Sequence, residues 1–269
     1  MTDSTLGARR VQRVRHEIKR RELQVARVAR ISPHFQRITF AGEALADFIS
    51  ASFDDHVKLI LADGSTAPAM RDYTPRRFDT AARELDIEFA LHGDGPAASW
   101  AAQAQPGDRA TVAGPRGSFV VPIDYDWHLL IGDETALPAV ARRLEELPAD
   151  THVIVRLAVA DPADRRALAS AATLDLQWAD SDEALIAATR ALTLPPGEGY
   201  AWCAAEAATA PRFQYAAALT PALSPGPRRA PAWPGRGRKT GANLSAACCG
   251  AVRAPRRPDP RAPAPSARS

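Results

Sequence analysis

Cysteine is scarce in this 269-residue chain: three in all, Cys203 alone and Cys248 beside Cys249. Adjacent cysteines lack the spacing of a zinc site, and three cannot build a disulfide framework, so a reducing, cytoplasmic setting is expected. Long hydrophobic runs are missing too. No stretch approaches the ~18 uninterrupted apolar residues of a membrane helix. The opening MTDSTLGARRVQR is charged and has no apolar segment of the kind a secretory leader needs. Neither membrane insertion nor secretion is expected. Acidic residues are lacking in one part only. Residues 211–269 hold 11 Lys+Arg, a single acid and 11 of the 23 prolines, leaving 23 basic and 30 acidic residues in the first 210. The net charge of +3 and the pI near 9.0 thus describe the tail, and nucleic-acid binding does not follow from them.

What is present changes character along the chain. Residues 1–21 are polar and basic and read as a loosely held arm or short helix. From Glu22 to about Pro122, short β-type runs (LQVARVARI, FQRITFAG, HVKLILADG, LDIEFALHG, RATVAGPRGSFVVP) alternate with turn signals, the pattern of a barrel or sandwich. After Asp126 the rhythm becomes α/β. WHLLIGDET, THVIVRLAVAD, LDLQWAD and GYAWCAAE read as strands. ALPAVARRLEELP and SDEALIAATRAL read as helices, with Ser181 capping the second. Strands alternating with helices imply a parallel sheet. Beyond about Thr209 there is no period of 2 or 3.6 and proline recurs, so disorder is expected.

Four clusters carry possible chemistry. In RDYTPR, Arg71 and Tyr73 share a strand face, which suits a phosphate and an aromatic ring of one cofactor; a surface strand with the Tyr half buried and an arginine paired to Asp72 or Asp79 is the plainer reading. HGDGPAASW puts a helix start behind a glycine turn, a pyrophosphate site or an ordinary loop-to-helix junction. GPRGS reads first as a tight barrel corner. IGDETALPA lies where a strand meets a helix at the carboxyl edge of the parallel sheet; its acids also suit a cap by Asp133 or Thr135. Asp54 and Asp55 read as a solvated turn. His16, His34, His128 and His152 have no ligand spacing. GRGRKT lacks the Gly-Lys pair of a phosphate loop, and neither H-E-x-x-H nor G-x-S-x-G occurs.

Taken in order, DDHVKL, RDYT-R, HGDGPAASW, GDRATVAGPRGS and GDETALPA resemble the siderophore-interacting, FAD-binding ferric reductases, relatives of the ferredoxin reductases, over about residues 22–209. The resemblance implies a β + α/β fold: a six-stranded antiparallel flavin-binding barrel (22–123), a Rossmann-like parallel NAD(P)-binding domain (124–209) lacking its last elements, and a disordered tail (210–269). It implies that Arg71, Tyr73 and Thr74 hold the FAD phosphate and isoalloxazine. His92, Gly93, Pro96, Ala97, Ser99 and Trp100 would line its pyrophosphate or adenosine region. Gly132, Asp133, Glu134 and Thr135 would form the pyridine-nucleotide edge. Lys58 and Arg116 would attract an anionic ferric siderophore. The implied activity is reduction of the ferric siderophore in the cytoplasm, with NAD(P)H or reduced ferredoxin as donor and no catalytic side chain or resident metal.

Two departures stand out. The family has a Gly-Glu pair where this chain has Ala205-Glu206, and residues from Pro211 onward do not resemble its C-terminus. A reading-frame change near residues 209–211 is the expected origin, a genuine extension the competing one. Two further functions therefore stand beside the first: a generic flavin or ferredoxin-type reductase, and a catalytically impaired flavin- or siderophore-binding protein.

Overall fold

Alternation of apolar and polar side chains sets the first sheet. A computed structural model describes residues 11–61, 69–92, 95–206 and 244–254. After a polar strand β1 (Gln12–Arg15), β2 (Arg20–Ser32) buries Leu23 and Val25 while Glu22 and Gln24 face water. The chain continues through β3 (Phe35–Ala41), β4 (Val57–Leu61), β5 (Ala69–Tyr73), β6 (Arg77–Asp79), β7 (Glu84–Ala90), α1 (Pro96–Gln103), β8 (Arg109–Ala113) and β9 (Gly117–Val120). Seven strands form one antiparallel sheet in the order β5-β4-β8-β2-β3-β7-β6, and β1 pairs with β9 apart from it. Its two edges, β5 and β6, are separated in sequence only by Thr74, Pro75 and Arg76, so the sheet must curl to bring them together. Pro75 lies in the link between them. Leu23, Ile38, Phe40, Leu59, Ile87 and Phe89 fill the interior.

The second body is the expected parallel sheet. It comprises β10 (Trp127–Gly132), α2 (Leu137–Glu146), β11 (His152–Ala158), β12 (Thr173–Ala179), α3 (Asp182–Arg190) and β13 (Gly197–Glu206), with strand order β12-β11-β10-β13. All six residues of β10 are buried because both faces are covered. Leu130 packs with Leu137, Val140 and Leu144 on one side, whereas Trp127, Leu129 and Ile131 join Leu185 on the other. Ser181 Oγ accepts from Ala184 N at 3.2 Å, as the capping signal predicts.

Two expectations differ from what is observed. The basic arm is not loose throughout: residues 12–15 pair antiparallel with 117–120. Within the region read as disordered, β14 (Leu244–Ala254) pairs antiparallel with β13, in an eleven-residue run free of the prolines that flank it. The reading-frame change placed near 209–211 lies outside the described residues.

Charged side chains join the two bodies. Asp86 and Glu88 alternate with the core-facing Leu85, Ile87 and Phe89 of β7, yet both are buried. Glu88 meets Arg37 (2.6 Å), Arg76 (3.5 Å) and, from the second body, Arg166. Arg142 of α2 is buried; its Nη1 donates to Ser50 Oγ (2.8 Å) and Pro75 O (2.9 Å), and its Nη2 to Ser50 O (2.9 Å). Arg76 pairs with Glu145. Phe53 crosses from the barrel to meet Trp202 edge-on at 5.3 Å, within the α2-side core.

Arg142→Ala leaves three barrel acceptors without their donors, so the chain should lose about 3 kcal/mol of stability, read as a lower urea midpoint; an unchanged midpoint would contradict this. A second prediction concerns His128, which is enclosed on β10 by Tyr125 (5.8 Å) and Tyr200 (6.1 Å). Burial first, then the Arg143 guanidinium, push its pKa down from 6.5 to about 3, against the Ile123 backbone and Asp124. The unfolded chain takes up this proton near pH 6.5 and the folded one does not, so stability falls below pH 6.5 and levels off near 3. Between pH 7 and 4.5, His128→Phe should lose roughly 3 kcal/mol less than the wild type in paired denaturation curves.

Candidate functional site

The segment after β5 is pinned before any ligand is considered. Cross-strand register sets Val57 opposite Tyr73, Lys58 opposite Asp72 and Leu59 opposite Arg71. Tyr73 lays its ring against Phe89, 4.5 Å between centroids at 45°, and burial holds its hydroxyl well above the usual phenol range, with Arg71 opposing. Thr74 is buried, Pro75 O receives Arg142, and Arg76 N donates to Asp86 O at 2.9 Å. The Arg71 guanidinium reaches Met70 O at 2.9 Å and pairs with no carboxylate among the described residues. Of the two acids in the plainer reading, Asp72 takes Lys58 at 2.6 Å and Asp79 accepts from Ala81 N and Ala82 N at 2.9 Å.

The next segment follows β7. His92 is exposed, and Gly93 lies outside the described residues. Gly95 caps α1 in an extended conformation with Pro96 at its first turn, and no side chain caps this helix. Ala97 and Ala101 are buried on the barrel core. Trp100 lies parallel to Phe40 (6.1 Å, 7°) and 6.1 Å from Phe89. Ala97 and Trp100 are therefore packing residues, while Pro96 and Ser99 remain exposed.

The turn after β10 carries the four residues of the expected nucleotide edge. A Cβ on Gly132 would stand 2.3 Å from Ala136 Cβ and 2.6 Å from Ala204 O, so this glycine permits close approach of strand, helix and neighbouring strand. Asp133 Oδ1 accepts from Thr135 N (2.9 Å) and Thr135 Oγ1 (2.5 Å), the capping arrangement foreseen as the alternative. Glu134 reaches the barrel, its Oε1 lying 3.8 Å from His92 Nε2. Burial, then Asp133, push the Glu134 carboxyl above its usual range, and His92 opposes them. The structure thus brings together His92 and Glu134, which are 42 positions apart in the chain.

Lys58 and Arg116 share one end of the barrel: Lys58 lies opposite Ala113 in the β4–β8 ladder, three positions before Arg116. Arg116 is exposed, and its carbonyl accepts from His16 N at 3.0 Å. The Asp54–Asp55 pair is not a solvated turn. Both are buried, and Asp55 Oδ2 accepts from Ser50 Oγ (2.9 Å), Ser52 N (3.1 Å) and Ser118 Oγ (2.6 Å). Sequence reasoning missed this carboxylate and Arg142. The Asp-Asp doublet looks like a turn, and the Arg142–Glu146 spacing looks like a surface i,i+4 pair.

Comparison with known proteins bears on this arrangement. A family model described as siderophore-interacting protein matches residues 125–217, and one described as siderophore-interacting FAD-binding domain matches residues 24–67 and 62–119. The chain is 41% identical over 217 residues to the NADPH-dependent ferric-chelate reductase of Escherichia coli (strain K12), covering 72% of this chain and 85% of the relative. It is 29% identical over 177 residues to the ferric vibriobactin reductase ViuB of Vibrio cholerae, covering 59% of this chain and 65% of that one. A crystal structure of a siderophore utilization protein from T. fusca superposes with a TM-score of 0.70 at 35% identity, covering 76% of this chain and 88% of that chain. Matches to both bodies of the fold, together with a relative spanned over most of its length, establish that the chain belongs to the siderophore-interacting protein family.

Proposed function

We propose that the chain reduces ferric siderophores with electrons from NADPH, by way of FAD held on the barrel. The observation that carries this reading is the 3.8 Å approach of His92 to Glu134, which makes the loop after β7 and the turn after β10 two walls of one cleft. The residues of the barrel wall fit a flavin. Arg71 has a guanidinium fork that no carboxylate of the described residues occupies, suited to a phosphate. Tyr73 is backed by Phe89 and offers an aromatic surface, with the Thr74 hydroxyl beside it. The start of α1 has no side-chain cap, so the backbone N–H groups of Ala97 and Ala98, between Pro96 and Ser99, would meet the pyrophosphate. Ala97 and Trp100 serve this wall by holding α1 against the barrel.

When bound, FAD would supply the conversion of a two-electron hydride donor into single electrons. The protein's part is orientation and field. Glu134 and His92 set the charge at the domain boundary, while Asp133 and Thr135 fix the turn that carries Glu134 on Gly132's close packing. Lys58 and Arg116 present positive charge to an anionic ferric chelate, with Asp72 holding the Lys58 ammonium in place. Fe(III) binds hard oxygen ligands far more tightly than Fe(II), so one electron releases the metal. NADPH is favoured over reduced ferredoxin by the name of the Escherichia coli relative, and a cytoplasmic site of action by the scarcity of cysteine.

Purified full-length protein should be yellow and release FAD on denaturation, and NADPH oxidation should depend on an added ferric tris-catecholate. Arg71→Ala should weaken FAD binding by about ten- to hundredfold in fluorescence titration, the worth of a charge-assisted contact of about 1.5–3 kcal/mol. A folded protein that stays colourless with excess FAD would overturn the reading.

A further inference from the structure

The carboxylate of Asp55 is the centre of a hydrogen-bond chain that lies between the segments carrying the two candidate substrate-binding bases. Asp55 stands three positions before Lys58, at the entry to β4, and Ser118 stands two positions after Arg116, in β9. Ser118 has a single hydroxyl proton, which it gives to Asp55 Oδ2 at 2.6 Å. Its oxygen then accepts from Ala51 N at 3.1 Å and faces His16 Nε2 at 2.8 Å, so the imidazole carries its proton on Nε2. His16 holds the same corner a second time, its backbone N donating to Arg116 O at 3.0 Å. In the other direction, Ser50 Oγ donates to Asp55 Oδ2 and accepts from Arg142 Nη1 on α2. One continuous path therefore runs from the α/β body through Ser50, Asp55 and Ser118 to His16.

Arg116 needs such support. It sits between Gly114-Pro115 and Gly117, and its side chain is exposed. Gly117 lies so close under the arm that a Cβ would stand 2.5 Å from Val14 O, so β1 presses directly on this corner. The arm is a clasp, and His16 is the residue that closes it.

We propose that His16, Ser118 and Asp55 are positioning residues for substrate capture: they set Arg116, and through Asp55 the start of the Lys58 strand, to receive the anionic ferric chelate, and they tie this rim to the α/β body through Arg142. The inference rests on the substrate reading of Lys58 and Arg116 given above. It adds a role for the N-terminal arm and for the buried acid, neither of which touches the substrate.

The test uses the full chain loaded with FAD, in His16→Ala, Ser118→Ala and Ser118→Thr forms. The probes are an anionic ferric tris-catecholate and a neutral ferric trihydroxamate, with melting temperature and flavin spectrum recorded alongside. His16→Ala and Ser118→Ala should raise KM for the anionic chelate about three- to tenfold, the scale of one net hydrogen bond. kcat, KM for NADPH, KM for the neutral chelate and the flavin spectrum should stay within about twofold. Ser118→Thr, which keeps the hydroxyl, should restore the anionic KM. His16 lies on the accessible side of the chain, so its variant reports even where Ser118→Ala fails to fold. If both alanine variants lower the melting temperature yet leave the anionic KM unchanged, while Arg116→Ala raises it, the chain is structural support only and the proposal is overturned. An equal loss with both chelates overturns it too. If Lys58→Ala and Arg116→Ala also leave KM unchanged, the substrate reading itself fails and takes this inference with it.

Discussion

The Arg142 guanidinium decides how the two bodies meet. It leaves helix α2, enters the barrel side of the boundary and donates to Ser50 and Pro75, two segments that are otherwise unrelated in sequence. Pro75 closes the segment that presents Arg71, Tyr73 and Thr74. Ser50 opens the loop that carries Phe53 into the α/β core and Asp55 under the barrel corner. One side chain of the second body thus fixes both the candidate flavin wall and the candidate substrate rim of the first. The neighbouring charges act in the same sense. Glu88, wholly buried, is met by arginines from β3, from the β5–β6 link and from beyond β11. Buried ion pairs return little net stability, but separating one leaves an uncompensated charge at a cost of about 3–5 kcal/mol. Such a seam tolerates one relative placement of the bodies and penalises others.

That fixed placement gives the His92–Glu134 approach its meaning. Electron transfer through a shared cofactor needs donor and acceptor sites held at constant separation, and here the two walls of the cleft belong to different bodies. The raised Glu134 carboxyl and the opposing His92 are the electrostatic signature of that boundary.

Much of the architecture was legible in the sequence because it follows from burial on a regular period. The buried run of β10, the amphipathic α2 and the Ser181 cap all answer to local pattern, and the run of motifs from DDHVKL to GDETALPA pointed to the family before any coordinates. What was illegible depends on contacts between distant segments. Glu88 sits at an alternate position of a strand and looks solvent-facing until a second body covers it. Arg142 does make the i,i+4 contact with Glu146 that its spacing suggests, at 3.0 Å, and its burial comes from the barrel. Asp55 looks like turn chemistry because its donors come from Ser50, Ser52 and the remote Ser118. Within the candidate site, His92 and Glu134 meet at 3.8 Å, whereas Gly132, Ala97 and Trp100 pack against neighbouring segments. A motif marks a segment, and only packing separates the residues that face a ligand from those that hold the segment still.

The central claim is that one cleft joins the flavin wall to the nucleotide wall, so that electrons pass from NADPH to a ferric chelate within a single protein molecule. Anaerobic stopped-flow with a ferrous-iron trap tests it most directly. Mixing the FAD-loaded protein with one equivalent of NADPH should bleach the visible flavin absorbance. Adding ferric tris-catecholate should then restore that absorbance as trapped Fe(II) appears in proportion to it. Bleaching by NADPH followed by no reoxidation and no Fe(II), with the chelate in excess, would contradict the account.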